Sequence, residues 1–205
     1  VNLLLLRIMF TSRRRDFGSY RYVIAFFACS DLYCSVIHWM VYPVPEMYGN
    51  AFVMGGYGII KSLIGPAWYS SIYVQAFPIL ASHFVYRTLL IRSPSSLTDP
   101  ERFFAVMIAT TVAVSFYGFI DGYVLGGPDE ETLRILAPFF AGNTSSPVVH
   151  SLDTAHDHIQ IMYWAGETYS GPRWNALFGL LITAIIMVSA YITIVCCGLL
   201  ISTFL

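Results

Sequence analysis

Long apolar runs alternate with polar segments along this chain, and the residues within a run show no period of two. The stretch that follows Ala176, LFGLLITAIIMVSAYITIVCCGLLISTFL, contains no charged residue. A helix of roughly 20 apolar residues crosses about 30 Å of hydrocarbon, whereas transmembrane β-strands alternate apolar and polar positions. The pattern therefore predicts helices that cross a membrane.

The runs predict an all-α polytopic transmembrane helix bundle with one partial and four full spans. The partial span, Val1 to Phe10, covers only about half the membrane. Pro66 and Pro78 should each loosen or bend the third span. Because the chain starts and stops inside apolar runs, we expect a truncated piece of a larger polytopic protein. The spans are expected at about residues 1–10, 22–42, 61–91, 103–125 and 175–205, with a long outer loop over 126–174.

Arginine is concentrated on alternate polar segments, which fixes the expected orientation. The second segment carries only Lys61, and the long fourth segment carries only Arg134 and Arg173. Short loops rich in arginine stay in the cytoplasm, so the first and third segments are expected inside. A glycosylation sequon at Asn143 falls on the side expected to be outer. The inner arginines are Arg13, Arg14, Arg15, Arg21, Arg87, Arg92 and Arg102.

The composition fits a protein embedded in lipid. Hydrophobic residues make up 57% of the chain and charged residues 11%, against about a quarter charged in soluble domains. A net charge of −1 gives no indication of nucleic-acid binding, and no cofactor is expected. The four cysteines lie within apolar spans, where a free thiol commonly acts as a small buried hydrophobe; they are Cys29, Cys34, Cys196 and Cys197.

A polar stripe is predicted on the second span. Asp31 lies midway along it, where an unpaired carboxylate is costly and is a functional candidate by default. Ser35 and His38 follow at i+4 and i+7 on the same helix face. Such a stripe suits an ion, a ligand or a hinge between conformations, and it equally suits polar contacts that join helices. Both interpretations stay open.

The third span ends in a motif that resembles a known receptor family. His83-Phe84-Val85-Tyr86-Arg87 looks like the end of the third transmembrane helix in nematode serpentine chemoreceptors of the str class and its relatives. The resemblance is strongest over residues 18–92. Also similar to that family are Gly18-Ser19-Tyr20-Arg21-Tyr22, Ala25-Phe26-Phe27, Asp31 with Tyr33 and Ser35, Pro43, and Tyr48-Gly49 before Ala51-Phe52.

The resemblance implies a seven-helix receptor that detects an odorant or pheromone outside and activates a heterotrimeric G protein inside. The resemblance also implies that the receptor lies in the plasma membrane, in a sensory cilium. By position, Tyr86 and Arg87 match the family's switch, to which we also assign Asp31. Thr88 departs from the aromatic residue often found after that arginine, and nothing here corresponds to helices six and seven.

A ligand pocket would lie among the outer halves of the helices, apolar with a few polar groups. The aromatic candidates also suit the belt of Trp and Tyr at membrane interfaces, so both readings stay open. Asp121, at the outer end of the fourth span, suits a loop in water equally well. The polar cluster from His150 to His158 matches no strong metal motif, and we expect no metal there. The candidate ligand-binding residues are His38, Trp39, Trp68, Tyr69, Tyr73, Trp174 and Phe178.

Two other classes of protein fit less well. A transporter or channel subunit, the main alternative, would need inverted repeats, broken helices or several intramembrane charges. Pro78 is able to break a helix, but Asp31 is nearly alone as a charge at mid-membrane. A histidine-cluster oxygenase would need many histidines on the cytoplasmic side, where only His83 lies. We therefore expect a receptor and not an enzyme.

Charge reversal of Arg13, Arg14 and Arg15 to glutamate should disturb the orientation of the chain, because retention of these guanidinium groups in the cytoplasm sets it. Glycosylation mapping in microsomes reports the side that Asn143 faces. An unchanged glycosylation pattern would count against the assigned topology.

Overall fold

The computed structural model describes residues 2–11, 20–48, 51–56, 58–60, 64–93, 99–127, 159–161 and 174–203. Its five α-helices are α1 (Asn2–Thr11), α2 (Tyr20–Val41), α3 (Ile64–Arg92), α4 (Pro100–Ile120) and α5 (Trp174–Ser202). Three strands are β1 (Pro43–Tyr48), β2 (Ala51–Gly56) and β3 (Ile159–Ile161). Most of the predicted outer loop, including Asn143 and His150 to His158, lies outside the described residues.

Four helices in the described part of the chain are long and apolar enough to cross a membrane. They comprise Tyr20–Val41, Ala67–Arg92, Pro100–Leu125 and Trp174–Ser202. Inside a bilayer the backbone groups have no water to bond, and a helix pairs them within one segment. The prediction of a polytopic helical bundle is confirmed.

The helix α3 supplies more of the buried positions than any other described helix. Its buried residues include the polar Ser70, Ser71 and Gln75 as well as Ile72 and Val74. The other long helices expose large apolar side chains, for example Phe116 on α4 and Leu181 on α5. Such exposure is unfavourable in water but is what a lipid-facing surface requires.

The segment between the second and third predicted spans contains paired strands. β1 and β2 are antiparallel, with Pro43 opposite Gly56 and Tyr48 opposite Ala51, and β2 also pairs with β3. Gly49-Asn50 between two such segments is a sequence signal typical of a β-hairpin. Strand pairing satisfies backbone groups that an irregular segment would leave to water.

The end of α2 is fixed by its backbone. Tyr42 adopts φ 44°, the left-handed conformation that commonly follows the last residue of a helix, and its N–H donates to the His38 carbonyl at 2.7 Å. The N–H of Gly58 then donates to the Val41 carbonyl at 2.8 Å. The chain after β2 therefore returns to the end of α2.

The chain forms two compact units. One comprises Val1–Ser35, Tyr73–Ser115 and Ile185–Leu205, and we call it the arginine-rich unit because it contains Arg87, Arg92 and Arg102. The other comprises Val36–Ile72 and Phe116–Ala184, and we call it the sheet unit because it contains the three strands.

Within the sheet unit, α3 and α4 approach closely at Gly118. A Cβ atom at this position would lie 2.9 Å from the Ser71 Cα and 3.1 Å from the Ser70 carbonyl oxygen. Backbone atoms cannot yield as flexible side chains do. Small residues allow such contacts between membrane helices.

Gly118→Val should lower the free energy of unfolding by about 1–3 kcal/mol, because the two backbones must separate. Chemical unfolding in mixed micelles measures this change. Gly198→Val on α5 is the control, since a Cβ atom there meets nothing within 4 Å. Equal losses for the two variants would show that the loss comes from replacing a helical glycine and not from the contact.

Candidate functional site

An aromatic cluster surrounds Tyr86 near the end of α3 in the arginine-rich unit. Tyr86 is 2% exposed. The Tyr20 ring from the start of α2 stacks on it with centroids 5.6 Å apart and an interplanar angle of 10°. The Phe103 ring from the start of α4 meets it edge-on at 5.1 Å. Tyr86 is therefore held by packing against two other helices.

A hydrogen bond adds a second connection between α2 and α3. The Tyr20 hydroxyl and the His83 Nε2 lie 2.8 Å apart, and the tautomer of the ring decides which group donates. His83 and Tyr86 are three residues apart on α3, so both face Tyr20. The sequence motif named both residues but gave no sign that Tyr20 lies opposite them.

Arg87 differs from its neighbour in exposure. It follows Tyr86 directly and so lies roughly 100° further round the helix. Its side chain is exposed, whereas Tyr86 is buried. The Thr88 hydroxyl donates to the Phe84 carbonyl of its own helix at 2.9 Å. The motif thus pairs one anchored aromatic residue with one accessible cation.

Asp31 makes a polar contact with another helix. The Asn2 side-chain amide of α1 donates to the Asp31 carboxylate over 3.4 Å, at the long end of hydrogen-bond distances. The Ser35 hydroxyl donates to the Asp31 backbone carbonyl at 2.8 Å, within α2. Asp31 therefore joins α2 to α1, which agrees with the interpretation of the stripe as a contact between helices.

The predicted ligand-binding residues occupy several environments. In the sheet unit, the rings of His38 and Tyr69 lie 5.6 Å apart, and Trp68 is half-buried. Trp39 is 68% exposed. In the arginine-rich unit, Tyr73 contacts Phe77 edge-on with centroids 5.7 Å apart.

The two remaining candidates lie on α5 and are exposed. Trp174 is 74% exposed and Phe178 is 59% exposed. Both line a surface groove of about 430 Å³ on α5, together with Leu177 and Leu181. Among the predicted residues, the described contacts bring His38 and Tyr69 together.

A polar contact joins α4 to α5 in the sheet unit. The Tyr117 hydroxyl donates to the Gly179 carbonyl at 2.8 Å, and the Thr183 hydroxyl donates to the Asp121 carboxylate at 3.1 Å. A Cβ atom at position 179 would overlap the Asp121 carboxylate, so the glycine makes room for it. Each side contributes a pair spaced i, i+4, and this spacing is the sequence signal that points to the contact.

Asp121 lies in the helix rather than in a loop. It is the first residue of the π-helical turn Asp121–Leu125 that continues α4, and its carbonyl accepts from the Gly126 N–H at 2.8 Å. Its side chain is half-buried. Single π turns inside helices occur frequently at functional sites.

No group of three or more His, Cys, Asp or Glu side chains able to hold a metal comes together in the described part of the chain. The exposed cations there include Arg21, Arg87, Arg92 and Arg102. The chemistry that the described side chains offer is therefore aromatic packing, hydrogen bonding and recognition of anions by guanidinium groups.

The family model for the serpentine type 7TM GPCR chemoreceptor Str matches residues 1–204. The chain belongs to this receptor family. Among curated proteins, serpentine receptor class r-10 of Caenorhabditis elegans is 26% identical over 102 residues. That alignment covers 47% of this chain and 30% of the relative. No solved structure matches the chain significantly.

Family membership confirms the resemblance that the HFVYR motif carried. This Str receptor is a multi-pass protein of the plasma membrane, and its family consists of chemoreceptors. The match extends well beyond the motif-rich residues 18–92 on which the resemblance was strongest. The aromatic cluster around Tyr86 therefore lies at the motif that first indicated the family.

Thr183→Val should lower the free energy of unfolding of the Str receptor by about 1 kcal/mol, because the Asp121 carboxylate loses this hydrogen bond. Chemical unfolding in mixed micelles is again the measurement. Thr193→Val on the same helix is the matched control, since its hydroxyl donates only to the Ser189 carbonyl of α5. Losses of the same size in both variants would contradict a role for the contact between α4 and α5.

Proposed function

We propose that this Str receptor detects a small odorant or pheromone at its outer side and activates a heterotrimeric G protein at its cytoplasmic side. The observation that carries the proposal is the family match over residues 1–204. The plasma membrane of a sensory cilium is the proposed location. The same match favours a receptor over an enzyme or a transporter.

Tyr86 and Arg87 are the proposed coupling residues. Tyr86 is packed between rings of α2 and α4, so it transmits movement of either helix to the end of α3. Arg87 is exposed beside it and carries a planar guanidinium with five donors. An arginine that exchanges partners between the helix bundle and a bound protein gives two discrete states.

Asp31 is the proposed third member of the switch. Its contact with Asn2 is long, and the aspartate is half-buried, so moving α1 against α2 changes its surroundings at small cost. A carboxylate within a membrane span is sensitive to such changes because its alternative partners are few. Asp31 is therefore suited to respond to movement of these helices.

The ligand is proposed to bind among the aromatic residues nearer the sheet. His38 and Tyr69 supply a polar pair in ring contact, and Trp68 is half-buried next to Tyr69 in the sequence. An apolar pocket with a few polar groups suits small organic molecules. The other proposed contacts are Trp39, Tyr73, Trp174 and Phe178, and Asn143 is the proposed glycosylation site.

Arg87→Ala should reduce G-protein coupling about tenfold, because the cation that exchanges partners is lost. The measurement is recruitment of nucleotide-free heterotrimeric G protein to a complete seven-helix receptor that contains this sequence, which requires no known ligand. Binding of any odorant found in a screen should change much less.

Arg21→Ala is the control for loss of an exposed cation near the same face, since the Arg21 guanidinium stacks on the neighbouring Tyr22 ring at 4.7 Å. Coupling should survive in this variant. If Arg87→Ala recruits the G protein as well as the unaltered receptor at equal surface expression, Arg87 has no part in coupling.

A further inference from the structure

A cavity of about 420 Å³ lies among α3, α4 and α5 in the arginine-rich unit. One face of each helix lines it, and on α3 the lining includes Pro78 and Val85, seven residues apart. On α4 it runs from Phe103 to Val114. Val106 belongs to the lining and is also 61% exposed, so the cavity opens to the surface of the helices.

The length of the cavity matches one leaflet of a bilayer. Phe103 and Val114 are about 16 Å apart along the axis of α4. Phe103 lies in the first turn of α4, next to Arg102. This end of the helix is predicted to face the cytoplasm. The hydrocarbon core is about 30 Å thick, so the lining extends from the cytoplasmic boundary to about the middle of the membrane.

The walls of the cavity suit hydrocarbon. Most lining residues are apolar, and the hydroxyls on α5 are occupied within their own helix. The Ser189 hydroxyl donates to the Ile185 carbonyl at 2.8 Å, and the Thr193 hydroxyl donates to the Ser189 carbonyl at 2.8 Å. The lining also includes the hydroxyls of Ser82 on α3 and Thr110 on α4, while the other nine lining residues are apolar, so the walls favour an acyl chain over a polar molecule.

Two arginines lie on the same helix faces at the cytoplasmic end. Arg92 follows Val85 by seven residues on α3, and Arg102 precedes Val106 by four residues on α4. Both side chains are exposed. Two acids lie nearby. The Asp99 carboxylate accepts a hydrogen bond from the Arg102 backbone N–H at 3.3 Å, at the start of α4, and Glu101 is exposed. Three arginines and two acids lie from 87 to 102, which leaves this end positive.

We propose that this cavity binds one acyl chain of an anionic phospholipid from the cytoplasmic leaflet, with the headgroup phosphate held by Arg92 and Arg102. The position of the cavity along the helices indicates that its occupant comes from the cytoplasmic leaflet. The apolar walls match an acyl chain, and the two arginines match an anionic headgroup. Phe103 lines the cavity and contacts Tyr86 edge-on, so the bound chain touches the aromatic cluster directly. The site is independent of the proposed odorant and G protein.

Substitutions that fill the cavity test whether it holds the acyl chain. The whole chain is purified in detergent and titrated with dioleoylphosphatidylserine, and native mass spectrometry counts the lipids retained. Val106→Trp should lower the retention of this lipid about fivefold or more, because the indole occupies the space of the acyl chain. Val112→Trp on the same helix is the control, since Val112 is also 61% exposed but does not line the cavity.

A second pair of variants covers the case in which Val106→Trp does not fold. Ala190→Leu fills the cavity from α5, and Ala184→Leu adds the same volume to an exposed position of α5 outside the lining. Helical content by circular dichroism identifies folded variants. If the cavity variants retain the lipid as their controls do, or if all four lose it equally, the cavity is not the binding site.

Substitutions of Arg92 and Arg102 test whether these residues hold the headgroup phosphate. Dioleoylphosphatidylcholine is titrated in parallel, and the unaltered chain should retain the phosphatidylserine more strongly. Arg92→Gln and Arg102→Gln should each lower retention of phosphatidylserine about fivefold and leave that of phosphatidylcholine unchanged. Arg21→Gln should have no such effect, because Arg21 lies on α2, a helix that contributes no residue to the lining. Equal retention of the two lipids by the unaltered chain would overturn the assignment of an anionic headgroup.

Discussion

Backbone hydrogen bonding in a medium without water is the constraint on which the rest of this structure depends. Each N–H and C=O inside hydrocarbon needs a partner within the protein, and a helix supplies it locally. Hydroxyl side chains follow the same rule, as Thr88, Thr111, Ser189 and Thr193 donate to carbonyls of their own helices. Polar side chains that do reach another helix, such as Tyr20 and Thr183, identify where helices are held together.

Ring contacts and polar contacts between helices occur in both units, and the described glycines that allow close approach between helices lie in the sheet unit. In the arginine-rich unit, stacked and edge-on rings around Tyr86 connect three helices, and the Tyr20–His83 hydrogen bond is added to them. Aromatic pairs contribute about 0.5–1.5 kcal/mol beyond the area they bury. In the sheet unit, Gly118 and Gly179 allow close approach, and Asp121 is bonded across helices.

Phe103 occupies a position that links two features of the arginine-rich unit. Its ring meets Tyr86 at 5.1 Å and it also lines the cavity among α3, α4 and α5. An acyl chain in the proposed lipid site would therefore lie against a ring that contacts Tyr86.

The sequence by itself determined the properties that depend on one segment at a time. The apolar runs gave the membrane-spanning helices because length and hydropathy are local, and the HFVYR motif indicated the family because it is contiguous. Only the tertiary structure decided which residues meet, such as Tyr20 with His83, Asp121 with Thr183, and β2 with β3. Helix periodicity specifies a face, but the residue opposite that face depends on how separate segments pack.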